Sequence, residues 1–227
     1  MPSNETEATV ENLLDAGDLK GAKRILHHML EVDPDSLAAH FHLARVYRRK
    51  RQYGRALLHG RRALRLNPNE PNANLNIALV YDLMEDKAGA VRHYKRELSR
   101  DPYSGLTLWN LGRLYFDKRR WKLASGCLQK CLDAGYWTEA DETLYKLGYC
   151  YCELGKVDEY IRAYERYLGV YPSSAWALAN LGRALLRAKR HKKAALRLSR
   201  AYILEPRESV AKALLRARKG LTSELSG

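Results

Sequence analysis

Prolines recur every 34 residues in this chain: Pro34, Pro68 and Pro102, then, after a break, Pro172 and Pro206. A unit of that length holds two short helices and their turns. It cannot bury an apolar face alone, so such units must stack. Proline cannot continue a helical hydrogen-bond ladder, which places each of these residues just past the second helix of its unit. Windows 3–36, 37–70, 71–104, 105–138, 141–174 and 175–208 bring the other landmarks into register. The eighth place holds Val10, Ala44, Ala78, Gly112, Gly148 and Gly182, and the twentieth Ala22, Ala56, Ala90, Ala124, Tyr160 and Ala194. Small side chains at two such places let paired helices cross closely. The seventh and eleventh places carry Leu43 and Tyr47, Ile77 and Tyr81, Leu111 and Tyr115, Leu147 and Tyr151, and Leu181 and Leu185. Four residues apart, these pairs share one helix face. Ser36, Ser104 and Ser174 stand where the next helix needs an N-cap.

This pattern resembles the tetratricopeptide repeat family, through the bulky-small-bulky run Leu111-Gly112 to Tyr115, the alanine Ala124 and the closing proline Pro206. The resemblance covers residues 3–208 and implies an all-α fold, a right-handed α-solenoid of antiparallel helix hairpins. It also implies a non-enzymatic scaffold that binds protein partners. Beyond the six windows, Val210, Ala213, Leu214 and Ala217 form one narrow stripe. That stripe predicts a capping helix over 209–220, ended by Gly220, with 221–227 as a flexible tail.

Departures from the pattern carry separate information. The fourth window has Tyr136 in place of its proline, and two extra residues follow. Tyr160 and Tyr167, with Tyr164 between them, put bulk at two places where small residues are usual, which should splay that hairpin. Tyr136 and Trp137 then either fill the gap or form an aromatic patch for a partner. Glu97 replaces another small residue and is expected on a solvated edge. Cys127, Cys131, Cys150 and Cys152 match no common zinc spacing and read as small packed hydrophobes, so no metal or cofactor is expected. The seven histidines form no nucleophile–base pair, and no glycine-rich phosphate loop appears.

The net charge of +14 is concentrated. Residues 45–65 hold nine Lys/Arg and no acid, and residues 183–219 hold thirteen against Glu205 and Glu208. Residues 130–172 hold five bases and eight acids. Such a field steers an acidic partner. The alternative partner is nucleic acid or an anionic membrane, along Arg61, Arg62, Arg65, Lys192, Lys193, Arg197 and Arg200. The start of the sequence has no basic leader followed by an apolar stretch, and no run is long enough to span a bilayer, which points to the cytoplasm.

In the family that this chain resembles, first helices line a concave groove. Its sixth place here holds Ala8, His42, Asn76, Asn110, Lys146 and Asn180. The asparagines are similar to the ladder of the protein O-GlcNAc transferase superhelix, which grips the backbone of an extended peptide, and Lys146 interrupts it. An amide suits that task because it offers a donor and an acceptor together. Arg45, Arg113 and Arg183 at the ninth place, with Arg48, Arg49 and Arg187 beyond, are candidates for pairing with an acidic segment. Leu75, Leu79 and Glu142 occupy places where a chaperone-type carboxylate clamp needs polar or basic residues, so that clamp is read as absent.

Overall fold

The structure, a computed structural model, describes residues 4–136 and 138–225. Among them are thirteen helices and no strand: α1 (Asn4–Asp15), α2 (Leu19–Val32), α3 (Leu37–Arg49), α4 (Tyr53–Leu66), α5 (Ala73–Leu83), α6 (Lys87–Arg100), α7 (Gly105–Asp117), α8 (Trp121–Asp133), α9 (Ala140–Glu153), α10 (Val157–Val170), α11 (Ala175–Arg187), α12 (His191–Leu204) and α13 (Glu208–Leu225). The chain is an all-α helical repeat. No described helix is long and apolar enough to cross a membrane. Two compact units divide it, residues 1–114 and 115–227.

In the first unit α1–α2, α3–α4 and α5–α6 pack as hairpins, and the first helices α1, α3 and α5 also touch in order. Val10, Ala22, Leu26, Leu43, Ala56 and Ile77 are fully or almost fully buried in its core. In the second unit α9–α10 and α11–α12 pair, and α13 packs on both α11 and α12. The close approaches fall at the places the sequence reserves for small residues. A side chain on Gly182 would sit 2.5 Å from Leu198 Cγ, and one on Gly148 would sit 2.7 Å from the Tyr160 ring.

Every hairpin turn uses the same device. Gly17, Arg51, Glu85, Arg119, Gly155 and Lys189 all stand at the fifteenth place and all adopt positive φ. The following backbone N–H reaches back to the carbonyl at the eleventh place, as Gln52 does to Tyr47 and Arg190 to Leu185. Only two of the six are glycine, the residue with no steric cost in that conformation. Lys189, exposed with φ 55°, is therefore a strained position. Lys189→Gly is expected to raise stability by about 0.5–1 kcal/mol, the relief of left-handed strain outweighing glycine's extra unfolded-state entropy. Chemical denaturation checks this, and a loss of stability would show that Lys189 is not strained.

Second helices stop two residues before Pro34, Pro68, Pro102, Pro172 and Pro206. The helix without a proline, α8, ends instead on Gly135 at φ 76°. There the Tyr136 N–H donates to the Cys131 carbonyl and the Gly135 N–H to that of Leu132, a Schellman closure. Ser36 and Ser174 accept from the backbone N–H groups of Ala39 and Ala177, capping α3 and α11.

Two expectations are overturned. Glu97 is not on a solvated edge: it is 1% exposed, and its carboxylate accepts from the backbone N–H groups of Asn72 and Leu75. Pro71 delays the start of α5 to Ala73, and Asn72, at φ 60°, makes no side-chain cap bond. Glu97 supplies the missing cap from α6, and Arg100 pairs with it. The second correction concerns Gly220, which does not end the last helix; α13 runs on to Leu225. Its lack of a side chain serves packing instead, because a Cβ there would lie 2.3 Å from His191 Nδ1.

The α9–α10 hairpin is more open than α3–α4, α5–α6 and α11–α12. Its gap is filled by rings. Tyr160 meets Tyr164 at 4.9 Å between centroids, and Tyr164 meets Trp176 of α11 at 5.6 Å. The Tyr164 hydroxyl donates to the Leu144 carbonyl, and that of Tyr167 to Asp141.

Candidate functional site

In the first unit the candidate residues sit on α3, α5 and the start of α7. His42 is buried with Nδ1 3.2 Å from Arg45 Nη1, and Arg45 donates to Glu11 of α1. The hydrogen bond from Arg45 holds Glu11 below the usual carboxylate range, against the opposing effect of its burial. Burial pushes His42 down, so its ring is neutral at pH 7. Arg49 donates to the carbonyl of Leu14 in the last turn of α1, which also accepts from the Gly17 N–H. Arg113 donates to Asp82, which also receives Lys87 Nζ at 2.8 Å.

Three of the predicted reading arginines are thus tied to the preceding first helix. Arg48 is different. Its Nε is buried with no hydrogen-bond partner, and burial together with the charges of Arg49 and Arg45 lowers its pKa. A desolvated cation in that position is costly unless something pairs with it.

The asparagines are not equivalent either. Asn76 is 8% exposed, and its amide has no partner among the described residues. Asn110 already commits one of its two Nδ2 hydrogens to the Leu106 carbonyl of its own helix, at 2.8 Å, which fixes the direction of its remaining N–H and its oxygen.

In the second unit, Asn180 Oδ1 accepts from Arg183 at 3.5 Å, while Arg183 Nη2 donates to Ser209 Oγ at 3.1 Å. Lys146 lies 3.3 Å from Glu142 and 4.6 Å from the Phe116 ring centroid. Arg187 donates to the Cys152 thiol, whose pKa burial raises while that guanidinium pulls it down. Tyr136 is half-buried, and Trp137 lies outside the described residues. The sequence reading missed Tyr145 and Tyr149, one turn apart on α9 and 56% and 43% exposed. The Tyr149 ring packs edge-on to Phe116 at 5.5 Å and against Trp121 at 5.4 Å. Their fifth and ninth places were the available signal, since those places line the family's groove. Cys131 and Cys150 are buried, and burial drives their thiols up to about 12 and about 11.

Models of the tetratricopeptide repeat match residues 8–71 and 142–174. This is a tetratricopeptide repeat protein. Solved structures share its fold. The C-terminal part of a TPR repeat-containing protein from Cytophaga hutchinsonii superposes with a TM-score of 0.68 at 14% identity, covering 87% of this TPR protein and 78% of that chain. YrrB, a TPR protein with an unusual peptide-binding site, gives 0.64 at 22% identity, over 86% and 97%. PilW, a type IV pilus biogenesis factor, gives 0.61 at 17% identity, over 93% and 97%. At these identities the likeness is one of fold. No curated protein sequence matches the chain. TPR proteins in general bind protein partners and act as scaffolds, because stacked repeats offer an extended surface.

Proposed function

We propose that this TPR protein is a non-enzymatic interaction scaffold, with six repeats and a C-terminal helix, whose first helices take an extended acidic segment of a protein partner. Asn76 carries the reading. The residue is largely buried, yet its amide is unused among the described residues, and a peptide bond is the group that matches a donor and an acceptor held side by side. One such contact contributes about 0.5–1.5 kcal/mol net, against roughly 8 kcal/mol for micromolar binding. Asn76 therefore sets register, and other groups supply most of the affinity. Arg45, Arg49 and Arg113 shape this face through their internal ties, which leaves Arg48 as the cation in this unit most in need of a partner's acid. YrrB, a protein of this fold with an unusual peptide-binding site, supports the reading.

The test starts from a partner segment recovered from the protein's own cells by gentle cross-linking. Asn76→Ala is expected to weaken its binding by roughly two- to tenfold, as one lost hydrogen bond predicts, with helicity unchanged. Asn110→Ala should cost less, because one of its two amide N–H groups is already engaged within its own helix. Affinity that does not respond to Asn76→Ala would remove the backbone-gripping reading.

A further inference from the structure

Within the second unit a cleft of about 630 Å³ opens where α13 packs on α11 and α12. Arg183 and Arg187 of α11 line it, with His191 of α12 and Ser209, Lys212 and Arg216 of α13. The arginines of α11 are four residues apart, and so are Lys212 and Arg216, so each helix presents a pair of like charges one turn apart. Among the described residues no carboxylate lines the cleft.

The protein does little to neutralise these four cations. Arg183 meets a hydroxyl and an amide, and Arg187 meets a thiol. Arg216 has no partner among the described residues. Among the described residues Lys212 alone of the four meets an acid, Glu208, in a pair whose side chains are 70% and 81% exposed, where water screens most of the attraction. Like charges at such spacing repel, and the surrounding residues 183–219 add further positive field. A molecule gains nothing in folding from this arrangement. It gains when oxyanions enter.

We infer that this cleft binds successive carboxylates of an extended peptide, and that α13 is one wall of that binding site as well as a cap. Guanidinium forks match carboxylates in two-point contact, and two cations on each helix suit acids spaced along a strand-like segment. Apart from the ring of His191, no aromatic side chain among the described residues lines the cleft. Single-stranded nucleic acid is held by bases stacking on aromatic rings, so a peptide fits better. Gly220 keeps the wall in place: with no side chain it lets α13 close onto His191. The inference rests on the peptide-binding reading above and gives the chemistry of the bound segment.

The experiment uses the full chain at low salt and a fluorescent, end-blocked deca-glutamate peptide, with an oligothymidine of matching charge as comparator. Arg187→Gln/Arg216→Gln is expected to weaken peptide binding by about tenfold or more, as removal of charge-assisted hydrogen bonds from a defined site should. Arg65→Gln/Arg200→Gln, which removes the same charge from exposed positions on α4 and α12, should change it by about twofold at most. The melting temperature of the cleft variant should stay level or rise, because repulsion is relieved. Equal losses in both double variants would reduce the effect to net charge and overturn the inference. So would no binding of deca-glutamate, a fall in melting temperature, or tighter binding of the oligothymidine that fails with the same substitutions. Asn76→Ala, measured alongside, separates the two readings. Loss of binding in the cleft variant with none in Asn76→Ala would sink the asparagine contact and leave the cleft standing.

Discussion

Replacing Glu97 by alanine is expected to cost about 2–5 kcal/mol of folding stability, a large share of what a domain holds in reserve. The residue is 1% exposed and satisfies two backbone N–H groups at the start of α5, those of Asn72 and Leu75. Alanine fits the space, as Ala63 and Ala201 do at the same place of their own windows, so the loss is not steric. It comes chiefly from leaving the buried Leu75 N–H without an acceptor, worth about 1–3 kcal/mol, with a smaller share from the part-buried Asn72 N–H. Arg100 is 30% exposed and turns to water when its partner goes, which keeps its own penalty small. Glu97→Gln retains one acceptor and should recover part of the loss. Urea denaturation measures the size. Amide hydrogen exchange at Asn72 and Leu75 measures the place, with faster exchange expected there than in α3. A Glu97→Ala protein within about 0.5 kcal/mol of the parent, the range of ordinary surface changes, would show that the cap does not hold α5.

Glu97 also marks where the sequence stops speaking. The helices, their hairpin pairing and the buried small places follow from a local rule repeated at a fixed period, and a rule of that kind can be read from residue spacing. A break in the rule cannot be read that way. Glu97 looked like a surface residue because its two partners lie 25 and 22 residues earlier, on a helix start displaced by Pro71. Gly220 looked like a stop signal because glycine commonly is one; the reason it is glycine is His191, on the preceding helix. The arginines repeat the lesson. Their places on first helices are visible in the sequence, but Arg45 reaches Glu11 and Arg49 reaches the Leu14 carbonyl, 34 and 35 residues back. Spacing says which face a side chain occupies. It does not say which neighbour has already claimed it, and for a binding surface that second fact decides which groups are left for a partner.

The first unit is expected to lose stability as the pH falls from about 6.5 toward 4, well before most carboxylates titrate. Two histidines at the same place of successive hairpins cause this. His59 stacks on Tyr47 at 5.4 Å, and His93 stacks on Tyr81 at 5.5 Å. The His93 Nδ1–H donates to Asn74 Oδ1 at 2.9 Å. His40 Nε2 lies 3.1 Å from the Pro34 carbonyl, which only accepts, so that nitrogen carries the proton. A neutral His40 then accepts through Nδ1, and the Nδ1–H of His59, 2.9 Å away, donates to it. In both His59 and His93 the basic nitrogen left over is Nε2. Burial pushes His59 down to about 4, with His40 and His27 adding to the effect. Burial likewise pushes His93 down to about 4, helped by Arg96, Arg92 and Arg61. Folded-state values below the unfolded one mean that the unfolded chain binds these protons first. The stability is therefore complete above about pH 6.5 and drains away as the pH falls through the folded values near 4, at up to about 1.36 kcal/mol per unit for each proton. Partial exposure of both rings lowers the total to a few kcal/mol for the pair. Urea unfolding at a series of pH values reads the slope, and His59→Gln/His93→Gln should flatten it between pH 6.5 and 5. A parent profile already flat across that window, or a slope the double variant leaves unchanged, would show that these rings do not carry the acid sensitivity.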